Sequence, residues 1–316
     1  MYNTSICYGA NNYIDILYFL SNSVIYPHID RMYFSCNSIV DKPEETLFSV
    51  LKDNDYKCKY DRWAKRGIYD RIKRYCSSET GINVSILYNC ISRRLMYPCM
   101  GIIIYKPDIK TVDWFDAICN SFGFLTTLSH VELTIDISPY EYGLQEFFWR
   151  HLFLKFHRGN SCFVDNEFGS FYIGHKRKNS KSIILYSKKI DNNNVLRLEF
   201  RLNRTYIRKL DLELDCFEKI NDINLPDLIS FKEINRDKLL KHLMWKNKSR
   251  LSAYDEDDKD LLIGQLRDFP SVYGGVANEI FYMKRIPYIN NCQRFPEDMS
   301  EANNAFFERL KGVKFI

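Results

Sequence analysis

A tyrosine within a run of basic residues is the feature of this sequence best suited to chemistry. Tyr186 lies in the stretch KSIILYSKK, and residues 171–190 contain six lysines and arginines and no acid. The phenol has an ordinary pKa of about 10, so it becomes a nucleophile only where cations or a metal ion stabilise the phenolate. Lys188 follows closely on the same predicted strand and can supply such a charge. Four earlier basic residues are candidates for binding phosphate groups: Lys176, Arg177, Lys178 and Lys181.

A second polar set lies on a predicted strand with the sequence SHVELTIDIS. Successive side chains of a strand point to opposite faces, so the apolar residues share one face, which packs on the core. The other face carries His130, Glu132, Thr134 and Asp136. Imidazole and carboxylate groups suit Mg²⁺ or Mn²⁺, and such an ion can polarise a phosphate. The same spacing also fits an edge strand whose polar face meets water.

A third strand, VLRLEFRLN, alternates charged and apolar residues, with Arg197 and Glu199 on one face. The preceding IDNNN is rich in residues that adopt turn geometry, so it predicts a hairpin. Such a hairpin brings Arg197 and Glu199 to the same side as Tyr186. The alternative is a ladder of cross-strand salt bridges, in which each pair stabilises by only about a few tenths of a kcal/mol.

The hydrophobic patterns predict an α+β fold in which helices pack on a mixed or antiparallel β-sheet. Strands are predicted at 13–19, 30–36, 82–90, 97–105, 130–137, 170–174, 182–188 and 195–202. Helices are predicted at 61–76, at 111–122 with Thr111 as N-cap, and at 140–157. Later helices are predicted at 231–247, 257–269 and 300–311, with mostly loop at 270–296. We therefore divide the chain into one domain of residues 1–210 and a mainly helical C-terminal domain of residues 211–316.

The composition excludes several classes of protein. With 27% charged, 46% hydrophobic and 15% aromatic residues, the 316-residue chain is typical of a globular protein and not of a disordered one. No apolar run reaches the roughly 18 to 20 residues that cross a bilayer, and the first residues lack the features of a secretory signal. We therefore expect a cytoplasmic protein without a membrane partner. The ten cysteines include no C-x-x-C pair, which favours reduced core residues over a zinc site.

These segments together resemble the replication initiators of rolling-circle plasmids and phages. The resemblance includes the Rep_trans plasmid proteins and conjugative-element relaxases and the filamentous-phage gene II/X replication proteins. It rests on YIG at 172–174 followed by Ser182, on Tyr186 with Lys188, and on RLEFR at 197–201. The strand HVELTIDIS is similar to the acidic strand of the family, with Glu132 and Asp136 in its two acidic positions. Relatives in the wider nuclease group bind metal through a His-hydrophobic-His pair, where this sequence has His-Val-Glu.

The resemblance implies an HUH-related enzyme that nicks and rejoins origin DNA. Tyr186 would attack the scissile phosphate at a hairpin or single-stranded nick site, leaving a 5′-phosphotyrosine and a free 3′-OH for the host polymerase. Lys188 and Arg197 would position the phosphate or stabilise the charge of the transition state. The ligands of Mg²⁺ or Mn²⁺ would be Glu132, Asp136, His130 and Glu199. The C-terminal domain would bind origin DNA or a host helicase.

Two other functions are compatible with the same residues. One is a non-catalytic protein that binds single-stranded DNA or RNA, stacking bases on Phe171 and Tyr172 beside the lysines. The other is a metal-dependent nuclease that uses water as its nucleophile, with Tyr186 as a structural residue. Whether the replicon is a phage or a plasmid stays open.

Overall fold

An antiparallel β-sheet of ten strands forms the centre of the fold. The computed structural model describes residues 22–38, 42–64, 68–90, 98–140, 144–145, 148, 152–154, 162–165, 170–173, 181–208, 220–231, 233–234, 293–294, 304 and 306–315. The strands are β1 (Val24–Asn37), β2 (Tyr56–Trp63), β3 (Tyr69–Ser77), β4 (Asn83–Cys90), β5 (Met100–Tyr105), β6 (Leu125–Ser138), β7 (Leu152–Leu154), β8 (Cys162–Asp165), β9 (Ser170–Ile173), β10 (Lys181–Ile190) and β11 (Asn193–Asn203). Their order in the large sheet is β2-β3-β4-β5-β1-β6-β11-β10-β9-β8.

Three helices are fully bounded in the described chain: α1 (Pro43–Asp53), α2 (Ile109–Ser121) and α3 (Arg204–Ile207). The combination of sheet and helices confirms the predicted α+β class. Each strand pairing in the described part of the large sheet is antiparallel, so the sheet is not mixed there. Within that part of the chain, each helix is too short or too polar to span a bilayer.

Helix α2 confirms the helix predicted at 111–122 but begins earlier. Its N-cap is Asp108, whose side chain accepts a hydrogen bond of 2.7 Å from the backbone N–H of Thr111. Thr111 was therefore wrong as the cap, because an aspartate three residues earlier makes the capping bond. The buried face of α2 includes Val112, Phe115 and Ile118.

The helix predicted at 61–76 is wrong, because this region forms the end of β2 and nearly all of β3. The two strands pair as an antiparallel hairpin from Tyr56 with Ser77 to Trp63 with Arg71. Its many charged residues suggested an exposed helix. Tyr75 and Ser77 are buried on either side of the half-buried Cys76, which is the two-residue period of a strand.

The other predicted elements have mixed outcomes. The strands predicted at 30–36, 82–90, 97–105, 130–137, 170–174, 182–188 and 195–202 are confirmed as β1, β4, β5, β6, β9, β10 and β11, with shifted ends. The helix predicted at 140–157 is wrong at its end, where β7 pairs with β12 (Ile229–Phe231). The strand predicted at 13–19 and the helix predicted at 257–269 lie outside the described residues.

The C-terminal half is described only in part. Residues 304 and 306–310 are helical, as predicted for 300–311. A two-residue strand β13 (Glu233–Ile234) pairs with β14 (Gln293–Arg294), where a helix and a loop were predicted, and most of both segments lies outside the described residues. Ile220, Leu225, Phe306 and Leu310 belong to the same hydrophobic core as the large sheet. The division at residue 210 stays a prediction.

The alternation of side chains gives the sheet two unlike faces. The core face is apolar on β6, β10 and β11, and its residues include Val131, Leu133, Ile135, Ile183, Leu185, Leu196, Leu198 and Phe200. The opposite face, which we call the polar face, carries Glu132, Thr134, Asp136, Arg197 and Glu199 on these strands. These five side chains are buried as well. The edge-strand alternative is therefore wrong, because β6 lies between β1 and β11 and its carboxylates do not meet open water.

Candidate active site

Three neighbouring strands, β10, β11 and β6, bring seven of the predicted site residues together on the polar face. Arg197 of β11 lies between Tyr186 of β10 and Asp136 of β6 in the strand register. One row further along, Glu199 lies opposite Thr134, and the next row pairs Arg201 with Glu132. The β10–β11 hairpin predicted from IDNNN produces this arrangement, because Asp191 and Asn192 both adopt the left-handed conformation of a tight turn.

Three carboxylates on this face lie close enough to share a metal ion. One oxygen each of Asp30, Glu132 and Glu199 lies within 4.8 Å of the others. Glu132 and Glu199 are only 4% exposed. Oxygen ligands of this kind suit hard divalent cations such as Mg²⁺ and Mn²⁺. Thr134, in the row between His28 and Glu199, has a buried Oγ1 without a hydrogen-bond partner in the described chain. The donor set and this unsatisfied hydroxyl fit a site for a hydrated cation.

An irregularity in β1 brings both Asp30 and Arg31 to the polar face. Ile29 pairs with Leu133 and Arg31 pairs with Glu132, so Asp30 is an extra residue on β1. Such a bulge changes the direction of side chains that would otherwise alternate. As a result Asp30 and Arg31, although adjacent, both contact polar-face residues: Asp30 meets Arg197 and Arg31 forms an ion pair with Glu132.

Arg197 is a buried ion-pair partner of Asp136. Its Nε and Nη2 each donate a 2.6 Å hydrogen bond to the carboxylate oxygens of Asp136. Nη1 lies 3.5 Å from Asp30 Oδ1, and Nη2 lies 3.2 Å from His28 Nε2. The Arg197 side chain is 1% exposed. Arg197 was expected to contact phosphate and Asp136 to bind metal. In the structure the Arg197 guanidinium and the Asp136 carboxylate are instead hydrogen-bonded to each other.

Glu132 is held in its ionised form by three donors. Its Oε1 accepts from Arg31, lies 3.1 Å from His130 Nε2 and lies 3.1 Å from Arg201 Nε. Burial alone would raise the pKa of the Glu132 carboxyl, but the His130 hydrogen bond and the Arg31 charge outweigh it and hold the pKa below its ordinary value. His130, expected as a ligand, lies at the edge of the group, with Nδ1 2.7 Å from Asn203 Oδ1.

The Tyr186 hydroxyl lies directly beside the carboxylate group. It donates a hydrogen bond of 3.2 Å to Glu199 Oε2, while Arg201 Nε donates 2.6 Å to the other Glu199 oxygen. Burial, followed by the negative charge of Glu199, raises the pKa of Tyr186 to about 12, and Arg197 opposes the shift. The basic neighbours alone therefore do not activate the phenol. A cation bound by Glu199 would offset the negative charge beside the Tyr186 hydroxyl and would therefore favour the phenolate.

Lys188 lies beside the same group and is half-exposed. Burial and the nearby charge of Arg197 lower the pKa of Lys188, which Asp30 partly offsets. It forms no salt bridge with any residue in the described ranges, so its ammonium is available to an anion that enters from solvent. The four buried or half-buried carboxylates of the site face three arginines, and Lys188 balances the remaining negative charge.

The four expected phosphate-binding residues are not brought to the site by the described structure. Lys181 is 5% exposed, and its Nζ lies 5.4 Å from the centroid of the Tyr206 ring. It therefore cannot form part of an exposed basic surface. Lys176, Arg177 and Lys178 lie outside the described residues.

Sequence reasoning missed the contribution of β1. His28, Asp30 and Arg31 all contact the site, and none of them was among the predicted site residues. The available signal was the alternation His28-Ile29-Asp30, which matches the alternation in β6. The bulge that adds Arg31 has no recognisable mark in the sequence.

Comparison with known proteins adds little to this geometry. Neither a family model nor a curated protein sequence matches the chain. Among solved structures, a rolling circle replication initiator protein from Geobacillus stearothermophilus is similar over 66% of this chain and 87% of that chain. The TM-score is 0.38 and the sequence identity is 12%. A likeness this distant carries no functional argument, so the function must be argued from the residues of the site.

Proposed function

We propose that this protein initiates rolling-circle DNA replication by nicking and rejoining one strand of origin DNA, with Tyr186 as the nucleophile. One observation carries the proposal: the half-buried Tyr186 hydroxyl is hydrogen-bonded to Glu199, which is one of three clustered carboxylates. A phenol, a carboxylate base and a cation site are thus adjacent. These groups are what transfer of a phosphodiester to tyrosine needs.

Asp30, Glu132 and Glu199 would hold a divalent ion, which when bound polarises the scissile phosphate and lowers the pKa of the phenol. The Tyr186 oxygen attacks phosphorus as its proton passes to Glu199 Oε2. The bond from phosphorus to the 3′-oxygen breaks, and that oxygen receives the proton. The product is a 5′-phosphotyrosine and a free 3′-OH that serves as a primer for a host polymerase. The reverse transfer rejoins the strand without a nucleotide cofactor.

The other polar residues orient these groups. Lys188 is half-exposed and unpaired in the described chain, so it binds the phosphate and stabilises its developing charge. Arg197 acts as a positioning residue that fixes Asp136 and Asp30. His130 and Arg31 keep Glu132 ionised. The metal role first expected for Asp136 and His130 is therefore replaced in this proposal by Asp30.

The test is the formation of a covalent protein–DNA adduct. A random-sequence pool of single-stranded oligonucleotides, labelled at the 3′ end, is incubated with protein and Mn²⁺ and then separated under denaturing conditions. We expect a labelled adduct with the wild type and with Tyr172→Phe, a control on the neighbouring strand β9. Tyr186→Phe should form none, and mass spectrometry should locate the nucleotide on Tyr186.

Three results separate the alternatives. Cleavage at the wild-type rate by Tyr186→Phe would show that water is the nucleophile. Binding without cleavage or adduct in Mn²⁺ would show a non-catalytic nucleic-acid-binding protein. An adduct on a different tyrosine would refute the role of Tyr186.

A further inference from the structure

The polar face continues beyond the site across β1, β5, β4 and β3 to the edge strand β2. From Arg31, the register leads directly to Tyr105 of β5. One row further along, Tyr33, Ile103, Ser85, Arg74 and Tyr60 lie opposite one another in turn. Tyr60 therefore shares a face with Glu132, and five strand spacings of about 4.8 Å place it ~24 Å away across the sheet.

Tyrosine rings and arginines alternate on this part of the face. The Arg74 guanidinium carbon lies 4.6 Å from the centroid of the Tyr105 ring, and that of Arg62 lies 4.4 Å from the centroid of the Tyr60 ring. Arg62 is exposed, and the other three residues are half-buried. We call Arg31, Tyr105, Arg74, Tyr60 and Arg62 the tyrosine–arginine track.

Several cations lie on the face of the track itself. The register places Arg31, Arg62 and Arg74 on this face of β1, β2 and β3. Arg71 and Asp61 lie on the core-face side, where Asp61 accepts two hydrogen bonds from Arg71 at 3.2 and 2.6 Å, so this pair does not contribute to the charge of the track. In the part of the chain that the structure describes, α1 and α2 leave the track uncovered, because both pack on the core face, where Phe48 meets Tyr75 and Phe115 lies near Phe34.

We infer that the tyrosine–arginine track binds single-stranded DNA that extends from the Tyr186 site toward the β2 edge of the sheet. Positive charge attracts any polyanion, but rings that alternate with guanidinium groups also provide surfaces on which unpaired bases stack. A duplex hides its base faces and is therefore the poorer ligand. The choice of DNA rests on the proposed function, whereas the location of the track rests on the register alone.

The two faces of β3 supply a matched control. Arg74 and Lys73 are adjacent and carry the same charge, but Lys73 points to the core face, with Nζ 4.2 Å from the centroid of the Phe48 ring. Tyr60 and Trp63 offer the same comparison for aromatic residues, because Trp63 contacts Arg71 on the core-face side and is 67% exposed. A general electrostatic effect would not distinguish Arg74 from Lys73.

The experiment measures binding of a fluorescent oligo-dT by anisotropy in EDTA, with Tyr186→Phe as the parent protein so that cleavage cannot contribute. We expect Arg74→Gln and Tyr60→Leu each to weaken binding by about tenfold, the size of one lost stacking or cation–π contact. Lys73→Gln and Trp63→Leu should stay within about twofold of the parent, as expected for side chains outside the contact surface. Circular dichroism checks that each variant is folded.

Four outcomes would overturn the inference: equal losses in Arg74→Gln and Lys73→Gln, no loss in Tyr60→Leu, equal or tighter binding of duplex DNA, or tighter binding of the matched oligo-rU. Because this assay does not require an adduct, failure of the proposed nicking chemistry leaves its result unchanged. Conversely, an intact nicking reaction with unaffected binding in the track variants would refute the track alone.

Discussion

Replacing Arg197 by methionine should destabilise the fold more than any other single change of a polar residue in the site. Methionine keeps most of the length of the side chain but removes both 2.6 Å hydrogen bonds to Asp136. The Asp136 side chain is 4% exposed, and in the described chain the His28 ring lies beside it, with Nδ1 3.9 Å from Asp136 Oδ2. A carboxylate left buried without its partner costs about 3 to 5 kcal/mol of unfolding free energy.

The matched control removes both charges. In the double variant Arg197→Met with Asp136→Leu no buried charge is left unpaired at this position, so most of the lost stability should return. The assay is urea denaturation at pH 7, followed by circular dichroism, for the wild type, the two single variants and the double variant.

A loss of unfolding free energy below about 1 kcal/mol in Arg197→Met, the value of a solvent-exposed ion pair, would refute the reasoning. A double variant no more stable than Arg197→Met would refute it as well.

Three further predictions concern the cation site, the acid limit of stability and a helix cap. Mn²⁺ at ten times its dissociation constant should raise the unfolding free energy of the wild type by about 1.4 kcal/mol. Asp30→Asn should abolish this gain, whereas Asp61→Asn, a control at an exposed carboxylate, should keep it. Equal gains in the two variants would contradict the carboxylate site. The His28 ring, with Nε2 3.8 Å from Asp30 Oδ1, lowers the pKa of Asp30 to about 2. The ionised Asp30 side chain should therefore contribute about 1 to 2 kcal/mol of stability above pH 4 and lose this contribution as the pH falls through about 2, so the stabilities of wild type and Asp30→Asn, which differ at pH 5, should converge at pH 2. Asp108→Ala should lower the unfolding free energy, measured by urea denaturation, by about 1 kcal/mol because it removes the N-cap of α2. An unchanged unfolding free energy would show that solvent can replace Asp108 as the partner of the Thr111 N–H.

The central strands were predictable because their sequences alternate strongly. From His130 to Ile137 on β6 and from Leu196 to Leu202 on β11, each apolar residue faces the core and each polar residue faces the other way, so faces and neighbours follow from the two-residue period. The turn residues at 191 and 192 fixed the partner of β10. The sequence was therefore sufficient to place Tyr186, Arg197 and Glu199 on one face.

The sequence was insufficient where the position of a side chain depends on contacts with distant segments of the chain. In β3, Arg71 and Lys73 occupy the core-face side because Asp61 and the Phe48 ring compensate their charge, and no local pattern shows such partners. The sequence does not show whether Asp136 binds a metal ion or pairs with Arg197, since both would use the same carboxylate oxygens. Arg31 joins Asp30 at the site through a bulge, whose position depends on the pairing of β1 with β6.

The position of β11 in the sheet has a consequence for biosynthesis. Strand β6 is complete at Ser138, but its second neighbour begins only at Asn193. Until that later strand leaves the ribosome, one border of β6 presents unpaired amide and carbonyl groups, and Asp136 has no guanidinium partner. Unprotected strand borders promote association between chains, and pairings between distant segments form slowly. Newly made chains stalled in this interval should therefore depend on chaperones.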